Sequence, residues 1–114
     1  MESKPLNDID LAQAASKFAA LGSEQRLEVL RVLVRAGPDG LSIGELGERS
    51  GVTGSTLTHH MKILTAAGLV RQLRDGRRII CIGAAYDEME SLSDYLLKEC
   101  CADAPRPHEG HEHG

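Results

Sequence analysis

Two cysteines stand side by side near the C-terminal end of the chain, in the run Leu96-Leu97-Lys98-Glu99-Cys100-Cys101. Soft, thiophilic atoms prefer thiolate ligands, so adjacent thiols suit the chelation of one such atom. In the middle of a helix the two side chains would splay apart. At a fraying helix end they can turn toward a common atom. A disulfide between adjacent cysteines is strained, which favours chelation over a structural bridge. A few residues further on, His108, His111 and His113 alternate with Glu109 and Glu112. Imidazole and carboxylate, joined by the two thiolates, form a ligand set for zinc, nickel or copper. The alternative chemistry for the cysteine pair is reaction with reactive sulfur species or oxidants.

A different chemistry sits in the middle of the chain. On a helical wheel with 100° per residue and Leu57 at zero, Met61 and Leu64 fall within about 40° of it. They form an apolar face, and His60 lies at its boundary, about 60° away. The opposite side carries Ser55, His59 and Lys62, flanked by Thr56 and Thr58. Hydroxyls, an imidazole and an ammonium on one helical face can bond phosphates or read base edges in a major groove. Shortly afterwards Arg74, Arg77 and Arg78 surround Asp75-Gly76. Arginines at a turn reach a phosphate or a minor groove. His59 and His60, being adjacent on a helix, point about 100° apart and do not share a ligand easily.

The elements that must position these groups follow from period and punctuation. Asn7 or Asp8 is expected to cap a first helix running to about Leu21. Ser23 caps a second, with Leu27, Leu30, Leu33 and Val34 as its stripe, closed by Gly37-Pro38. Ser42 and Glu45 make a capping-box pattern for a short third helix to about Arg49. After the turn Ser50-Gly51-Val52, Thr53 caps a fourth helix from Gly54 to Ala67. The period then changes to two: Leu69–Leu73 and Arg78–Ile82 flank an Asp-Gly hairpin signal. A type I′ turn at Asp75-Gly76 places Cys81 opposite Val70 as a packed thiol. A last helix is expected from Ala85 to Cys101. The fold class is therefore mainly α with a β-hairpin wing, a winged helix-turn-helix over residues 1–102. Residues 103–114, with Pro and Gly and no apolar pattern, read as a disordered His/Glu-rich tail.

Charge at first speaks against this reading, because 13 Lys+Arg against 17 Asp+Glu give a net charge of -4. Its distribution reverses the conclusion. Residues 41–82 carry six basic side chains against three acidic ones, whereas residues 83–114 carry two basic against eight acidic. A basic reading segment is embedded in an acidic protein, and segment charge governs a ligand within a Debye length. The longest uncharged run, Gly51–Met61, is polar, so no membrane span is expected. The opening MESKPLNDID lacks a signal peptide's apolar stretch. A cytoplasmic protein with three reduced thiols is the expectation. The chain has no phosphate loop, cofactor fingerprint or inward carboxylate pair, and no nucleophile with a fixed base, so no enzymatic activity is expected.

Three stretches, LGSEQRLEVLRVLV, LSIGELGERSGVTGSTLTHHMKILTAAGLV and RQLRDGRR, resemble the ArsR/SmtB family of metal- and metalloid-responsive repressors. The resemblance spans about residues 8–101. It implies a homodimer held by the first and last helices, with Leu11, Phe18, Met89, Leu92 and Leu96 at the seam. It also implies two recognition helices on double-stranded operator DNA, released when an inducer binds. Other sensor positions of the family are vacant here: Ser42-Ile43-Gly44-Glu45-Leu46 lacks a Cys-x-Cys, and Asp94 is not followed two residues later by His. The adjacent pair Cys100-Cys101 resembles that of an arsenic-responsive subgroup, which implies a trivalent arsenic species as inducer. Zinc or another divalent metal is the alternative. That subgroup often has a third cysteine a few residues later, where this chain reads Ala102-Asp103-Ala104-Pro105.

Overall fold

A computed structural model describes residues 9–105. Along them run α1 (Leu11–Ala20), α2 (Glu24–Ala36), β1 (Leu41–Ser42), α3 (Ile43–Ser50), α4 (Gly54–Ala66), β2 (Val70–Asp75), β3 (Arg78–Gly83) and α5 (Tyr86–Leu97). The predicted order of four helices, a hairpin and a helix is the observed one, with β1 added. Of the expected tail at 103–114, residues 103–105 form exposed turns and bends, and residues 106–114 lie outside the described residues.

Local chemistry explains most boundaries. Asp10, rather than Asn7 or Asp8, caps α1. Its side chain accepts the Gln13 backbone N–H at 2.8 Å, while Gln13 Oε1 accepts the Asp10 N–H at 2.9 Å. This reciprocal box satisfies two otherwise orphaned donors, which a single earlier cap could not. Ser23 caps α2 through the Arg26 N–H, and Ser42 with Glu45 closes the predicted box on α3. Thr53 occupies the N-cap position of α4, but its side chain makes no capping bond.

The core is a single aliphatic cluster. Val29, Leu33, Leu46, Met61, Leu64, Leu69 and Cys81 are almost completely buried. Each large apolar side chain so placed contributes roughly 1.5–3 kcal/mol. The stripe of α2 is narrower than its sequence implies: Val29, Leu30 and Leu33 are buried, whereas Leu27 and Val34 remain exposed.

The sheet has the order β1-β3-β2, entirely antiparallel. β1 is only Leu41–Ser42, too short to carry a period, and it exists because Leu41 pairs with Cys81 and Ser42 with Ile80. The hairpin register differs by two residues from the predicted one. Asp75 pairs with Arg78, so the loop is Gly76-Arg77, and Cys81 faces Gln72 rather than Val70. Gly76 has φ 66° while Arg77 has a negative φ, the pattern of a type II′ turn, which requires only its first central residue to be left-handed. A type I′ turn at Asp75-Gly76 would have forced the Asp there as well. A slip of two preserves the faces, and Cys81 is buried in either register.

Helix α5 ends at Leu97, four residues before the expected Cys101. From Leu96 to Pro105 every residue is exposed, so no packing surface extends the helix. Without tertiary contacts the last turn has little to hold it. The chain instead makes consecutive turns, closed by Cys100 N–H to Leu97 O at 2.9 Å and Ala102 N–H to Glu99 O at 3.0 Å.

Candidate nucleic-acid interface and thiol site

Helix α4 divides as its sequence predicts. Leu57, His60, Met61 and Leu64 are buried. Ser55, Thr56, Thr58, His59 and Lys62 are all exposed. The Thr58 hydroxyl donates to Gly54 O at 3.3 Å, which spends its proton and leaves lone pairs outward. The uncapped first turn of α4 keeps its backbone N–H groups available, the arrangement that accepts an anionic phosphate. α3 packs on α2, and Gly47 of α3 lets the following turn approach closely, because a Cβ there would stand 3.1 Å from Thr53 Cγ2.

The wing follows α4 directly, and β2 packs against it. Arg74, Arg77 and Arg78 are exposed at its tip. Among the described residues the one ion pair is Arg31–Glu28 at 3.1 Å, so none of the wing arginines is held in a salt bridge there. The Ser42 backbone and hydroxyl hold the Glu45 carboxyl below the usual carboxylate range, helped by Arg78 and Arg49.

His60 is not part of this outward face. It is 7% exposed. Its Nδ1 lies 3.4 Å from Arg26 Nη1 and its Nε2 lies 3.1 Å from Gln25 Oε1. Burial, then the charges of Arg26 and His59, push its pKa down. Arginine only donates, so Nδ1 must accept and the ring is neutral, with its proton on Nε2 directed at Gln25. This Arg26–His60–Gln25 cluster escaped sequence reasoning, because its members lie 34 and 35 positions apart and each is ordinary on its own element.

The thiols occupy a separate region beyond α5. Cys100 Sγ and Cys101 Sγ are 3.4 Å apart and both side chains are exposed. Cys101 has φ 67°, the left-handed region that L side chains rarely adopt, and the turn brings its sulfur beside that of Cys100. The hydrogen bond and charge of Cys100 raise the Cys101 pKa, which disfavours the Cys101 thiolate. Cys81 is apart from this site; burial raises its pKa and Gln72 partly offsets the effect. Among the described residues no group of three or more His, Cys, Asp and Glu gathers to hold a metal ion. His108, His111 and His113 lie outside the described residues.

The residues expected at a dimer seam separate into two kinds. Leu11, Phe18 and Leu96 are exposed and Met89 is half-buried, whereas Leu92 is in the chain's own core. An apolar groove of about 970 Å³ runs between α1, α2 and α5, lined by Phe18, Leu27, Val34, Tyr86, Met89 and Leu96 among others. No helix among the described residues is long and apolar enough to cross a membrane.

A short helix, a tight turn, a longer helix with a polar outer face and a basic hairpin define a winged helix-turn-helix protein. A helix-turn-helix domain model matches residues 21–72. The uncharacterized HTH-type transcriptional regulator YceK of Bacillus subtilis (strain 168) is 40% identical over 63 residues, 55% of this chain and 62% of that protein. The chain thus spans under two thirds of that relative's length. The solved structure of an ArsR-like transcriptional regulator from Rhodococcus sp. RHA1 is 30% identical, with a TM-score of 0.65, over 81% of this chain and 82% of that one. The homodimeric winged helix-turn-helix DNA-binding domain of a Mycobacterium bovis protein is 25% identical, with a TM-score of 0.63, over 90% of each chain. This chain belongs to the ArsR family of transcriptional regulators.

Proposed function

We propose that the chain is a transcriptional repressor that binds operator DNA as a homodimer and leaves it when a trivalent arsenical binds Cys100 and Cys101. The observation that carries the inducer is the 3.4 Å separation of two exposed sulfurs just past the end of α5. Two soft donors at that spacing fit one thiophilic atom. Two protein thiolates suit a monosubstituted arsenical with two open positions, or arsenite with a third ligand from outside the protein. Each As–S bond forms as an arsenic-bound hydroxide leaves with the thiol proton as water, so two thiols displace two hydroxides with no net proton released.

The DNA face is Ser55, Thr56, Thr58, His59 and Lys62, with Arg74, Arg77 and Arg78 on the flanking backbone. A second copy would cover Leu11, Phe18 and Leu96 and the apolar groove, surface that a monomer rarely leaves open. The homodimeric neighbour supports that assembly. Ligation at the ends of the two α5 helices would alter the seam and the spacing of the two reading heads. Such coupling is reciprocal: DNA weakens inducer binding by the same factor.

The test is a mobility shift on the protein's own upstream region with arsenite, a methylated arsenical, antimonite and zinc in turn. The variant Cys100→Ser/Cys101→Ser should bind the DNA like the parent and ignore arsenicals. Normal release by the double variant would place the sensor elsewhere.

A further inference from the structure

A helix that reads base edges works only if its neighbours hold it at a fixed angle, because small displacements of a positioned group lose most of its interaction. Two cations do this for α4, and among the described residues neither is paired with a carboxylate. Lys17 of α1 donates from Nζ to Ala67 O at 2.6 Å, at the C-cap of α4. Arg26 of α2 donates from Nε to Ala20 O at 2.6 Å, the last residue of α1, and presents Nη1 to His60 in the middle of α4. Both carbonyls belong to helix C-terminal ends, where the aligned peptide dipoles leave partial negative charge and a cation is favoured. Both side chains are partly buried. Bonds made there are less screened than bonds on the open surface.

We propose that Arg26 and Lys17 are positioning residues that tie the recognition helix α4 to the end of α1 at two points. Arg26 fixes the middle of α4 through His60, and Lys17 fixes its C-terminal end. The exposed Leu11 and Phe18 lie on the same α1, so any displacement of that helix passes to the reading helix through these two bonds. The inference rests on reading α4 as the DNA-contacting helix. It adds residues that face no groove.

Operator affinity of the full chain, followed by fluorescence anisotropy across a salt series, separates positioning from phosphate contact. Arg26→Gln and Lys17→Met should each lose about tenfold in affinity, and the double variant about a hundredfold, because they hold different points of α4. Neither should change the slope of log K against log[salt]. A lost phosphate contact would lower that slope by about 0.9. Nitrogen-15 NMR of the free protein should find the His60 proton on Nε2 in the parent and a mixture of tautomers in Arg26→Gln. Lys17→Met keeps the apolar stem of the half-buried side chain and removes only its ammonium, so it keeps the test open if Arg26→Gln does not fold. Parental affinity in the variants, or a slope reduced in step with the loss, overturns the proposal. So does a proton on His60 Nδ1 in the parent. If the parent binds no operator, the DNA reading itself fails, and the NMR arm still decides whether the Arg26–His60 clamp exists.

Discussion

The wing arginines allow a quantitative test of the DNA interface. Arg74, Arg77 and Arg78 are exposed, and the described residues offer them no ion-pair partner. Replacing all three by Gln therefore breaks no internal salt bridge and leaves the buried core of the hairpin, Val70 and Cys81, untouched. Each guanidinium that neutralises a phosphate releases counterions and adds about 0.9 to the negative slope of log K against log[salt]. Three contacts add about 2.7 per wing, or about 5.4 for two wings on one operator. Between 50 and 200 mM salt, three such contacts alone reduce affinity by about 40-fold, so over that range the parent should lose about 40-fold more affinity than the variant per wing, and the gap between them should narrow. Anisotropy titrations at four or five salt concentrations measure the two slopes, and thermal unfolding should give the same midpoint for both proteins. Parallel lines for parent and variant would refute the reasoning, because they would mean that the wing does not meet the DNA backbone.

Two further predictions concern the scaffold. Burial, Arg26 and His59 hold the folded pKa of His60 below its ordinary value of about 6.5. The unfolded chain then binds more protons, so urea-measured stability should be constant at high pH and fall as the pH drops below about 6.5. The His60→Gln variant should lack that contribution, and an unchanged pH profile would remove His60 from the account. Gly40 has φ 71°, and a Cβ there would collide with the Cys81 carbonyl and the Ile82 side chain. Gly40→Ala should therefore lose roughly 1–3 kcal/mol through its backbone conformation alone, with more from the collision, as read by denaturant unfolding.

Much of the interface was legible because its signals are local. The spacing of Leu57, Met61 and Leu64 assigns one face of α4 to the core and leaves Ser55, Thr58, His59 and Lys62 outside, and the structure divides the helix in that way. The Ser42–Glu45 box and the Ser23 cap depend on residues three apart, so they too can be read along the chain. The hairpin was legible in kind but not in register. Asp75-Gly76 and Gly76-Arg77 both bring a left-handed glycine to the loop, so the local sequence admits either register, and the strand pairing takes the second.

The sequence by itself determined the order of elements, the polar and apolar faces of α4, the basic wing tip and the adjacency of two thiols, all properties of residues within a few positions of one another. Tertiary structure decided where α5 stops, because helix length there depends on packing, and every residue from Leu96 to Pro105 is exposed. It also decided that Leu92 belongs to the chain's own core while Leu11, Phe18 and Leu96 stay open. The links from Arg26 to Ala20 and His60, and from Lys17 to Ala67, arise only there. Lys17 and Ala67 are 50 positions apart, and no periodic or compositional signal encodes a bond between a side chain and a distant backbone carbonyl. Only the packing of α1 and α2 against α4 brings those atoms within reach.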